Sequence, residues 1–128
     1  MVPKSMAVNN SNTKIDLSMA VGRALQIRKL YNQLEEHLHG TSWTNQEDLI
    51  GLSSDIGELG RLVMATEGRW SHEGNLNKEL GDKLSECLWW ILVLSERLGI
   101  NLTMAFISKM DVLDDSLTSS ITKLKRPS

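Results

Sequence analysis

The chain has 128 residues, 41% of them hydrophobic and 23% charged, with a formal net charge of -2. That length holds one domain with a modest core, and the charge argues against a nucleic-acid partner, which calls for an excess of Lys and Arg. The single cysteine, Cys87, cannot form an internal disulfide and so fits a reducing, cytoplasmic setting, while the most apolar run, Leu88 to Leu94, is far too short to cross a membrane.

Residues 1–16 read as a disordered leader: Asn9 to Asn12 are all Asn or Ser, and the apolar centre of a signal peptide is missing. A first helix is expected from Leu17 to Leu38, where Ile27, Leu30, Tyr31, Leu34 and Leu38 recur at helical spacing before Gly40 stops it. A second begins near Thr44, because Thr44-Asn45-Gln46-Glu47 has the form of a capping box. Its Leu49, Leu52, Ile56, Leu59 and Val63 form a seam for packing. Gly51, Gly57 and Gly60 each weaken that helix by roughly 1 kcal/mol relative to Ala, which points to close approach of a neighbouring helix or a ligand. After a polar link from Gly68 to Gly74, a third helix is expected from about Asn77, with Leu80, Leu84, Cys87, Ile91, Leu94 and Leu98 as its seam. Gly99 ends it and Asn101 caps a fourth, in which Leu102, Ala105, Phe106, Lys109, Leu113 and Leu117 share one side. Residues 119–128, with Lys123, Lys125 and Arg126, read as a basic mobile tail. No strand pattern occurs, and the short loops predict antiparallel neighbours. The expected architecture is an all-α, four-helix antiparallel bundle over residues 17–118. Its two seams, with Trp89 and Trp90, carry more apolar surface than one small bundle hides, so a homo-oligomer should complete it.

Two acidic pairs stand out: Asp55-Ile56-Gly57-Glu58 on the second helix and Glu79-Leu80-Gly81-Asp82 on the third. Acids three apart are neighbours on a helix surface, most often simply a solvated face. Here each pair brackets a glycine and borders a seam, and Glu86 falls on the same side as Glu79 and Asp82. If the two helices pack antiparallel, four or five carboxylates converge. Such a cluster repels itself unless a cation sits in it, and oxygen-only donors suit Mg²⁺ or Mn²⁺ rather than zinc.

The order Asp55-x-x-Glu58 then Glu79-x-x-Asp82 resembles the paired acidic motifs of the MazG-like, all-α nucleoside triphosphate pyrophosphohydrolases. The flanks are similar too: Trp43-Thr44 and Glu47-Asp48-Leu49 before the first motif, then Leu88-Trp89-Trp90-Ile91-Leu92 and Glu96-Arg97-Leu98-Gly99-Ile100 after the second. The resemblance covers roughly Ile27 to Leu117. It implies a MazG-like fold that forms a homodimer or homotetramer, and Mg²⁺-dependent hydrolysis of a nucleoside triphosphate to monophosphate and pyrophosphate. Asp55, Glu58, Glu79 and Asp82 would then be the metal ligands, and one carboxylate would take the proton from water. Three positions depart from the pattern: Asp55 stands where Glu is commoner, Ser54 where many members have another acid, and Leu113 where Asn commonly follows Lys109 by four.

Arg61, Lys78, Lys83 and Lys109 are candidate phosphate partners, or plain surface charge. Trp43 and Trp70 flank the first acidic helix, for base contact or helix-end packing. Trp89 and Trp90 are expected in the core or a subunit interface. Glu36-x-x-His39 is a single copy of a motif that di-iron bundles need twice, and His72 is expected to be exposed. The alternative to an enzyme is a non-catalytic helical module that binds nucleotide or protein on the same scaffold.

Overall fold

Four polar side chains set where the helices begin. Asp16, Thr44, Asn75 and Asn101 each accept a hydrogen bond from a backbone N–H in the first turn that follows. The computed structural model describes residues 14–127. Within them lie α1 (Leu17–His39), α2 (Asn45–Thr66), α3 (Leu76–Arg97) and α4 (Leu102–Leu124), with no strand among the described residues. The capping box at Thr44 is complete: its hydroxyl accepts from Glu47 N–H, and the Glu47 carboxylate accepts from Thr44 N–H. Gly40 takes the left-handed conformation at φ 80 and closes α1. The leader expected over residues 1–16 falls mostly outside the described residues. At the other end α4 continues to Leu124, so six residues assigned to the basic tail are helical.

Helix α3 is the central element. It packs along α2 on one side and α1 on the other, whereas the backbones of α1 and α2 stay apart. Asp48 meets Arg97, and Asp55 meets Trp90 and Lys83, so α2 and α3 run antiparallel as expected. The turn into α4 differs from expectation: the chain bends by 107° between α3 and α4, and no α4 residue is buried. Among the described residues no single helix is long and apolar enough to cross a membrane.

The core is small. Ala24, Leu92 and Val93 are its buried centre, with Leu17, Val21, Trp89 and Leu102 packed around them. The expected seams are only half right. Leu52 and Leu59 of α2 are partly buried, but Leu49, Ile56 and Val63 are exposed. On α3, Leu80, Cys87 and Leu94 turn inward while Leu84, Ile91 and Leu98 do not. The inward face of α2 therefore includes Asp48, Gly51 and Asp55, which brings a carboxylate to the middle of the α2–α3 contact.

Gly51 shows why that helix tolerates a poor helix former. A Cβ there would lie 2.5 Å from the Trp90 indole, whereas Gly57 and Gly60 have nothing within 4 Å. Gly51→Ala should push Trp90 out of place and lower stability by about 1–3 kcal/mol, despite the better helix propensity of Ala. Urea unfolding checks this: Gly57→Ala should be neutral or stabilising, and a similar gain at Gly51 would contradict the packing.

Candidate functional site

The cleft between α1 and α2 is closed at its floor by Trp89 and Trp90 of α3. It holds a cavity of about 460 Å³, within the usual size of small-molecule sites. Its walls are aromatic. Trp43 stacks on Trp90 with ring centroids 5.8 Å apart and planes at 17°. Trp89 meets Trp90 edge-on at 4.7 Å, and Tyr31 leans on Trp89 at 5.5 Å. Of Trp89 and Trp90, expected in the core or a subunit interface, Trp89 packs against the core, and both line this cavity. Each indole N–H is held: Trp89 donates to the Ala24 carbonyl at 3.1 Å, and Trp90 to Asp55 Oδ2 at 2.7 Å. Locked rings of this kind present flat apolar faces at low conformational cost.

Beneath Trp43 lies a buried charge network. Asp48 is fully buried between Arg28 and Arg97, and Arg28 also meets Glu35 at 3.1 Å. Arg97 further donates to the Trp43 carbonyl at 2.9 Å, and the Trp43 N–H donates to Glu35 at 2.9 Å. Burial pushes the Asp48 carboxyl above its ordinary value, opposed by the two guanidinium groups. The network ties the α1–α2 loop to three helices and so fixes Trp43 at the cavity mouth. Nothing in the local sequence around Asp48 requires such a role. The available signal was its place three before Gly51 and seven before Asp55, on the same helix face.

Asp55 and Glu86 border both this cavity and the acidic cluster. The Lys83 ammonium lies among three carboxylates: Glu58 at 2.7 Å, Glu86 at 3.1 Å and Asp55 at 3.2 Å. Its pKa is raised, chiefly by the Glu58 hydrogen bond, against desolvation that lowers it. The other two acids are engaged elsewhere. Glu79 pairs with His72 at 3.0 Å, and Asp82 pairs with Lys78 at 2.8 Å on the surface. The structure therefore gathers Asp55, Glu58 and Glu86 around one lysine, with Glu79 nearby and Asp82 turned outward. Among the described residues no three His, Cys, Asp or Glu side chains are arranged to hold one metal ion.

A second cavity of about 350 Å³ adjoins the cluster, bordered by Glu58, Glu79 and Lys83 and by Arg61, Trp70 and His72. Arg61 lies over the Trp70 ring at 5.9 Å. Of the candidate phosphate partners, Lys83 and Arg61 are at this rim. Lys78 is exposed on Asp82, and Lys109 stands on α4, which makes no contact with α2. His72 is partly buried against Glu79 rather than exposed. Cys87 is buried behind the cluster, and its thiol pKa is raised by burial and then by Asp55. A scan against protein-family models found no match, and searches of curated proteins and of solved structures found none.

Proposed function

We propose that the chain is a Mg²⁺-dependent, MazG-like hydrolase that converts a nucleoside triphosphate to its monophosphate and pyrophosphate. The observation that carries this reading is the junction of the aromatic cavity with the acidic cluster through Asp55 and Glu86. A nucleobase fits against flat faces such as Trp43 and Trp90, which is the use to which rigid aromatic walls are suited. From there a triphosphate extends past the acids toward Arg61 and Lys83. Asp55, Glu58 and Glu79 would hold the metal, with Mn²⁺ a substitute; Asp82, turned outward onto Lys78, would have to swing inward to join them. A divalent ion, when bound, would supply positive charge against the phosphates and lower the pKa of water. One carboxylate of the set would accept the proton that the attacking water gives up.

A non-catalytic nucleotide-binding module is the second reading, favoured by the ion pairs that already occupy Asp55, Glu58 and Asp82. Pyrophosphate release from a panel of nucleotides with Mg²⁺ separates the two. Release that stops on chelation is expected. Quenching of tryptophan fluorescence by nucleotide without any pyrophosphate would favour the binding module.

The working unit is proposed to be a homodimer or homotetramer in the cytoplasm, with neither nucleic acid nor membrane as a partner. Phe106, Ile107, Val112 and Leu117 of α4 are all more than half exposed. A second copy of the chain, presenting the same unburied apolar helix, supplies matching cover. Light scattering at micromolar concentration should give a dimer or tetramer; a 14.4 kDa monomer would contradict it.

A further inference from the structure

We propose that Glu35 selects the base, so that the aromatic cavity takes a nucleobase with an exocyclic amino group, cytosine or adenine, over its carbonyl counterpart, uracil or hypoxanthine. This selectivity presupposes the nucleotide reading of the cavity and adds to it which bases are accepted. Most hydrogen-bonding groups on the cavity walls are already spent. The Trp89 indole N–H is held by the Ala24 carbonyl, and the Trp90 indole N–H by Asp55 Oδ2. Asp55 Oδ1 accepts from Lys83, and the Ser85 hydroxyl donates to the Gly81 carbonyl. The tryptophans are left with apolar faces for a ring to lie against.

Glu35 differs from these. It lines the cavity, and its side chain is only 15% exposed. Its Oε1 accepts from Arg28 Nη2 at 3.1 Å and from the Trp43 N–H at 2.9 Å. Those two bonds fix the carboxylate, while Oε2 has no protein donor among the described residues. Arg28 lines the same wall and is 4% exposed, and its Nε–H is buried without a partner among the described residues. A fixed acceptor thus stands beside a spare donor, both withdrawn from water. Cytosine and adenine each carry an amino donor next to a ring-nitrogen acceptor, whereas uracil and hypoxanthine put a carbonyl oxygen where the amino group would be. A carbonyl set against the carboxylate brings two acceptors together with no proton between them, which leaves buried lone pairs unpaired. The uracil ring N–H is one donor between two carbonyls. An amino group is two donors and no acceptor, and it suits a wall whose other acidic members, Asp55 and Glu86, are also acceptors.

The test is quenching of tryptophan fluorescence by cytidine, uridine, adenosine and inosine, with neither metal nor phosphate present. In at least one of the two pairs, the amino nucleoside should bind about tenfold more tightly than its carbonyl counterpart. Equal affinities within both pairs, a reversed preference, or no quenching by any of them overturns the proposal. Glu35→Gln keeps the shape and can turn an amide N–H toward a carbonyl, so its preference should shrink to about twofold or less. A full preference retained by a Glu35→Gln protein with wild-type circular dichroism would also overturn it. If that variant does not fold, the wild-type affinities decide alone. A pyrophosphate assay on the wild type with CTP, UTP, ATP and ITP keeps the two ideas apart. Base preference without pyrophosphate release sinks the enzyme reading alone, and pyrophosphate release with equal nucleoside affinities sinks the base preference alone.

Discussion

Asp48→Ala should be the most damaging single substitution to the fold, lowering stability by about 3–5 kcal/mol. Asp48 is fully buried between Arg28 and Arg97. Removing the carboxylate leaves Arg28, itself only 4% exposed, with Glu35 as its remaining partner. A domain of this kind has about 5–15 kcal/mol of stability in total, so such a loss threatens folding at 37 °C. Asp48→Asn keeps the shape and removes the charge, and should fall close to Asp48→Ala. Replacing the exposed neighbour Gln46 by Ala should change stability by less than about 0.5 kcal/mol. Urea unfolding of the three variants is the check. An Asp48 variant as stable as the Gln46 variant would mean that the network contributes nothing.

The largest effect on activity should come from the acids. Glu58→Gln and Glu79→Gln each remove a negative charge at little change in size, and each should lower turnover by at least about a hundredfold while helical circular dichroism stays near wild type. Glu58 is half exposed on Lys83, and Glu79 is partly exposed on His72, so neither is needed to fill the core. Full activity in either variant would contradict the site assignment. Loss of helicity in both would show that these acids serve the fold.

Much of this was readable from local chemistry. Thr44 with Glu47, Asn101, Gly40 and Gly99 act within one helical turn, so their roles need no tertiary information. That Asp55-x-x-Glu58 and Glu79-x-x-Asp82 lie on adjacent helices was legible; that Glu79 turns to His72 and Asp82 outward to Lys78 was not. The inward face of α2 was not. Leu52 and Leu59 form one stripe and Leu49, Ile56 and Val63 another, at equal helical spacing, and only packing against α3 chooses between them. That choice rotated Asp55 under Trp90 and brought Lys83 into the cluster, contacts between residues 35 and 28 apart. The length of α4 was missed because Leu117, Ile121 and Leu124 continue an apolar stripe through a segment whose charge suggested a tail. Trp89 does pack on the core, as its apolar neighbours suggested; that it and Trp90 also wall a cavity follows from the gap between α1 and α2, which local sequence does not show.

The central claim is that these acids serve pyrophosphate release. Phosphorus NMR of a nucleoside triphosphate incubated with Mg²⁺ and excess protein tests it most directly. The account predicts monophosphate and pyrophosphate, formed with Mg²⁺ or Mn²⁺, poorly with Zn²⁺, and not after chelation. Diphosphate with orthophosphate, or turnover that chelator leaves untouched, would contradict it.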